Sequence, residues 1–190
     1  MLVKKIRIHP FERYNSIGQE EIDAVQRVLE SGVLSAFVGT WGEGFSGGSE
    51  VQSMEAEFAE FFKVKHAISV NSWTSGLIAA VGALGLEPGD EVIVSTWTMS
   101  ATATAILHWN LIPVFADINP KTYCINPASV RSLITNRTKA IMAVDIFGQS
   151  SDIEELLKIC QDFDLKLISD SAQSPNAFRE SKIVGTSSDI

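Results

Sequence analysis

From His66 onward the chain alternates short apolar runs with longer amphipathic ones, and that alternation leaves few folds open. Residues 67–70, 91–94, 112–116, 139–144 and 165–169 have strand length and β-branched or apolar content. The run 139–144 is almost continuously apolar, as expected of a strand covered on both faces. Between these runs, 75–84, 101–109 and 152–160 carry helical periodicity, and Asn126-Pro127 opens a further helix with a cap followed by a proline. Pro88-Gly89-Asp90 marks a turn. Strands that alternate with helices form right-handed βαβ units. The expected class is therefore α/β, a mostly parallel sheet with helices on both faces.

Two helices are expected ahead of that sheet. Ser16-Ile17-Gly18-Gln19 reads as a capping box, followed by Ile22, Val25, Val28 and Leu29 at helical spacing and by Gly32 as a C-cap. A glycine-rich loop runs over 39–48. Ser49-Glu50-Val51-Gln52 repeats the capping pattern before the apolar stripe Val51, Met54, Phe58, Phe61 and Phe62. This divides the chain into an N-terminal helix and loop, 1–48, and a main domain, 49–190.

A net charge of −8 leaves no basic surplus to neutralise phosphates, which argues against nucleic-acid partners and anionic membrane surfaces. The start of the chain, 1–7, is basic without an apolar run behind it, and 77–86 is too short to cross a bilayer. Cys124 and Cys160 form no C-x-x-C pair, so a soluble protein of the reducing cytoplasm is expected. His9, His66 and His108 are scattered without metal-ligand spacing. Gly42-Glu43-Gly44-Phe45-Ser46-Gly47 fits G-x-G-x-x-G but neither follows a strand nor opens a βαβ unit, so no dinucleotide site is expected there. No P-loop occurs.

Candidate chemistry gathers at strand ends, where ligands sit in parallel sheets. Asp170 ends the run 165–169, and Gln173 follows three positions later. An acid there can pair with a protonated ring nitrogen while the amide reaches a neighbouring ring oxygen; pyridoxal phosphate (PLP) offers both groups. Taken singly, Asp170 could instead cap its turn. The turn after 67–70 carries Thr74 and Ser75 at the start of a helix, where free N–H groups and the helix dipole suit a phosphate, although the same hydroxyls could merely cap.

Several of these segments carry a resemblance. Asp170-Ser171-Ala172-Gln173 resembles the D-x-A-Q signature of the DegT/DnrJ/EryC1/StrS family of PLP-dependent sugar aminotransferases, and collinear similarity extends over 45–189, including 83–93, 113–118, 137–141 and 185–189. The resemblance implies a fold-type-I large domain with Thr74 and Ser75 at the cofactor phosphate, Asp170 at the ring nitrogen and Gln173 at the ring oxygen. It places Asp145 in the same cleft. Residues 95–102 resemble P-x-x-T-[aromatic]-x-A-T, with Met99 where the family's ring-stacking aromatic stands. A thioether on a ring face contributes about 0.3–1.5 kcal/mol, so Met99 can take that role, with Trp97 and Trp73 as alternative stacking surfaces. Trp73 itself stands where the family has Gly or Ala.

The implied activity is transfer of an amino group from glutamate or glutamine to a ketosugar nucleotide or related cyclic ketone, by a homodimer. The family's F-S-F-x-x-x-K segment, which carries the Schiff-base lysine, falls beyond Ile190, so the chain is expected to be an N-terminal fragment with no catalytic lysine of its own. Alternatives are a PLP-dependent sugar dehydratase, with histidine in place of that lysine, and a truncated non-catalytic binding protein.

Overall fold

Val92, Ile93 and Val94 are wholly buried in β1 (Glu91–Ser95), which requires cover on both faces of the sheet that contains them. In the computed structural model, which describes residues 14–42 and 44–190, that cover is present. The basic stretch 1–7, His9 and Glu43 of the glycine loop lie outside the described residues. The chain forms two units, Met1–Met54 and Glu55–Ile190.

In the second unit, β1, β2 (Ile112–Ala116), β3 (Thr138–Val144) and β4 (Lys166–Asp170) form a four-stranded sheet in the order β2-β1-β3-β4, with every pairing parallel. Side chains alternate across it. Ile93, Ile141 and Leu167 pack on one face with α5 (Pro127–Leu133) and α6 (Ile153–Phe163), through Val130, Leu156 and Ile159. Val92, Val94, Met142 and Ile168 pack on the other with α3 (Trp73–Ala83) and α4 (Ser100–His108), through Leu77, Val81 and Ile106. Gly82 allows α3 and the end of α4 to close: a Cβ there would run into the Trp109 ring, whose indole N–H donates to the Ile78 carbonyl at 2.8 Å. As the proline signal predicts, Asn126 caps α5, its side chain accepting from the Ala128 N–H at 3.0 Å.

Two local expectations need correction, and one element was not expected. Residues 67–70 join no ladder among the described residues. The Ser69 N–H donates instead to Glu55 Oε1 at 2.7 Å, and Ile68 is 81% exposed. A two-residue hairpin, β5 (Phe178–Arg179) with β6 (Lys182–Ile183), was not anticipated. Its turn residues Glu180 and Ser181 both have positive φ, 46° and 71°, as a type I′ turn demands, but neither is the usual Asn or Gly. Neither capping box forms as read. In the first unit, α1 (Gln19–Ser31) is capped by Gly18, whose N–H donates to Glu21 Oε2 at 2.6 Å. At the start of α2 (Ser49–Phe62), the Gln52 N–H donates to the Gly48 carbonyl and Nε2 to the Gly47 carbonyl. The Gly32 C-cap is left-handed, with φ 70°. The residues of 42–47 that are described form a loop between α1 and α2, not a strand-to-helix turn.

Candidate cofactor site

The sheet brings the carboxyl ends of β1, β3 and β4 together, and the strand order reverses direction there: β2 lies to one side of β1, β3 and β4 to the other. Such a reversal opens a crevice between diverging connections. Asp170 is the last residue of β4, paired in register with Val144, and its own carbonyl accepts the Asp145 N–H at 3.0 Å. The Asp170 side chain is 5% exposed.

A carboxylate buried to that degree needs donors. Trp73 Nε1–H donates to Oδ1 at 2.8 Å, Thr102 Oγ1–H donates to Oδ2 at 2.8 Å, and the Ala172 N–H reaches Oδ1 at 3.4 Å. Thr98 Oγ1 lies 2.8 Å from Thr102 Oγ1. The Thr102 hydroxyl hydrogen is already given to Asp170, so Thr98 is the donor in that second bond. Two carboxylate oxygens offer four acceptor positions, and the three contacts leave one position on Oδ2 without a donor among the described residues. What fits there is an N–H or O–H donor.

Ser72 caps α3: its hydroxyl oxygen accepts the Ser75 N–H at 3.1 Å, and its carbonyl accepts the Gly76 N–H. The N–H groups of Trp73 and Thr74 have no acceptor among the described residues, so the first turn of α3 presents two donors and the positive end of the helix dipole. Thr74 is exposed and Ser75 half-buried, with the Ser75 hydroxyl 3.0 Å from that of Ser72. The hydroxyl that caps is thus Ser72, not Thr74 or Ser75.

Gln173 is fixed by the left-handed Phe147, whose N–H donates to Oε1 at 3.2 Å. A backbone donor must face the amide oxygen, so Nε2 is turned outward as a donor. Met99 is 71% exposed at the N-cap of α4, and the same loop supplies Thr98. Trp97, Tyr123 and Phe147 form an exposed aromatic row, with ring centroids 5.8 and 6.0 Å apart.

Asp145 does not present its carboxylate to open space. It is 3% exposed, and it accepts the Ser151 N–H and the Ser171 hydroxyl, each at 2.7 Å, while its carbonyl accepts the Ser174 hydroxyl. Burial pushes its carboxyl above the ordinary aspartate range, and the neighbouring charge of Asp170 adds to that. Its work is to hold the turn 171–174. Gly185, with φ 83°, packs against Ser171 where a Cβ would collide with the hydroxyl. Thr102 and Ser72 carry no role in the sequence pattern, and Trp73 entered there only as an alternative stacking surface, not as a donor to Asp170. The i, i+4 spacing of Thr98 and Thr102 was the available signal for the threonine pair, but no local spacing announces a bond between residues 97 apart. Among the described residues, no group of three or more His, Cys, Asp or Glu could hold a metal ion.

A donor-seeking carboxylate ends β4, an anion-seeking helix start is tied to it through Trp73, and an outward amide donor lies in the turn that follows β4; a sequence profile of the DegT/DnrJ/EryC1/StrS aminotransferase family matches residues 15–190. The chain belongs to this family. The Bacillus subtilis (strain 168) spore coat polysaccharide biosynthesis protein SpsC is 40% identical over 173 residues, which are 91% of this chain and 42% of that protein. The aminotransferase from Psychrobacter cryohalolentis superposes with a TM-score of 0.82 at 34% identity, covering 93% of this chain and 42% of that one. A GDP-4-keto-6-deoxymannose-3-dehydratase, solved with a trapped PLP-glutamate geminal diamine, superposes at 0.81 with 28% identity, covering 92% and 44%. The fold class read from the sequence is thereby established, with fold-type-I PLP enzymes as structural neighbours. The chain spans under half the length of these relatives. Among the described residues, no helix is long and apolar enough to cross a membrane.

Proposed function

We propose that 49–190 is the PLP-binding part of an aminotransferase that moves an amino group from glutamate or glutamine to a ketosugar nucleotide or related cyclic ketone. The observation that carries this reading is the free acceptor position on buried Asp170. When bound, PLP supplies an electron sink for charge that develops on the carbon losing its proton. Asp170 holds the proton on the ring nitrogen. The Trp73 and Thr74 N–H groups, with the Thr74 and Ser75 hydroxyls beside them, bind the phosphate at the start of α3. Gln173 Nε2 donates to the ring oxygen, and Met99 packs on the ring face.

The proposed partners are an amino donor, the sugar substrate and a second copy of the chain. Trp73 and Met99 depart from the family pattern without removing any of the three polar anchors. The test is to incubate the intact protein with PLP, L-glutamate and GDP-4-keto-6-deoxymannose. Amino sugar and 2-oxoglutarate in equal amounts are expected, with Asp170→Ala lowering the rate by a factor of a hundred or more (about 3 kcal/mol). A deoxysugar free of nitrogen would place the protein with the dehydratases. No turnover with any ketosugar would favour a binding role.

A further inference from the structure

Trp73 is the first residue of α3, so its backbone lies in the turn that presents free N–H groups, while its side chain reaches Asp170 at the end of β4. One residue therefore spans the two ends of the site. The contact joins positions 97 apart in sequence and bridges a half-exposed indole to a buried carboxylate. We propose that Trp73 is a positioning residue: its indole N–H occupies Oδ1 of Asp170, turns the free acceptor position of Oδ2 toward the cofactor ring, and locks the distance between ring anchor and phosphate anchor.

This rests on the PLP reading of the same site. The chemistry is selective in a simple way. Oδ1 already receives Trp73 and the longer Ala172 contact, and Oδ2 receives Thr102 alone. A ring N–H then has one place to bind rather than a choice of two. A bidentate or swivelling carboxylate would bind the same ring in several orientations, and only one of them puts a phosphate arm at the start of α3. Smaller residues at position 73 would leave only Thr102 and the longer Ala172 contact to hold the carboxylate against rotation.

The test uses the intact protein with Trp73→Phe, which keeps an aromatic ring and removes the donor. PLP dissociation constants are measured by equilibrium dialysis, and the four tryptophans are replaced by 5-fluorotryptophan for fluorine NMR. In the wild type, the resonance that Trp73→Phe removes is expected to shift when PLP is added, because indole and ring share one carboxylate. The variant is expected to bind PLP 10- to 100-fold more weakly, as loss of a hydrogen bond to a charged group predicts. The wild-type shift requires no variant to fold in the cofactor's presence. Wild-type binding with an unshifted Trp73 resonance overturns the Trp73 role alone, as does an unchanged dissociation constant in a folded variant. No PLP binding by the wild type overturns the functional reading together with this role.

Discussion

Thr102 is wholly buried, and its hydroxyl gives its hydrogen to Asp170 from the first turn of α4. Replacing it with valine keeps the shape and removes the donor, leaving Oδ2 short of a partner inside the protein. Thr102→Val is expected to destabilise the fold by about 1–3 kcal/mol, read as a lower denaturant midpoint at unchanged slope. It is also expected to weaken PLP binding while leaving the Trp73 resonance at its wild-type position, since that bond is to the other oxygen. Single residues were unevenly legible at this scale. Asp170 and Gln173 were visible because a strand end followed by a short polar turn is a local pattern. The partners that make Asp170 useful were not, because Trp73 and Thr102 meet it only after three strands have been laid side by side. Asp145 looked like a cleft residue from its position after a strand. Three hydroxyl or amide donors turned its carboxyl and carbonyl inward instead.

Strands were legible where a neighbour exists to pair with them and illegible where none does. The runs 91–94, 112–116, 139–144 and 165–169 all became strands within a residue or so of their expected limits. Residues 67–70 have the same β-branched content, but propensity describes fit to a pleated surface, and no ladder is available to them among the described residues. The hairpin at 178–183 escaped for the opposite reason, since its turn is imposed on Glu180 and Ser181 against their preference. Between elements, Glu91 at the head of β1 ties the strand to the loop before β3. It is 4% exposed and accepts Thr135 Oγ1 at 2.6 Å, Thr138 Oγ1 at 3.3 Å, and Arg137 Nη2 and Nε at 2.6 and 3.0 Å. The Thr135 hydroxyl, followed by Arg137, holds its carboxyl below the ordinary glutamate range even though burial acts the other way. A lowered folded value means stability that is present at neutral pH and lost as pH falls from the unfolded glutamate range through the folded one. Glu91→Gln is expected to cost about 2–3 kcal/mol near neutrality and to flatten the acid side of the stability profile, measured by urea unfolding between pH 3 and 7.

The whole chain announced its class through alternation alone, because a parallel sheet needs a covering helix between successive strands, and that need is written into the order of apolar runs. Its assembly state is less local. In α1, Ile22, Val25 and Leu29 are 52%, 59% and 63% exposed, and in α2 Phe58 and Phe61 are 54% and 57% exposed, so each helix carries an apolar face that water would otherwise meet. The intact protein is expected to sediment as a homodimer, with Leu29→Glu shifting it toward monomer; a wild-type monomer at micromolar concentration would refute this. Chain order has one further consequence for Asp170. The ribosome releases α3, β1 and α4 before β4 emerges, so the indole of Trp73 and the hydroxyl of Thr102 are already part of the chain when Asp170 arrives. Both donors to the acid come from earlier in the chain, and the core closes over the charge with its partners already made.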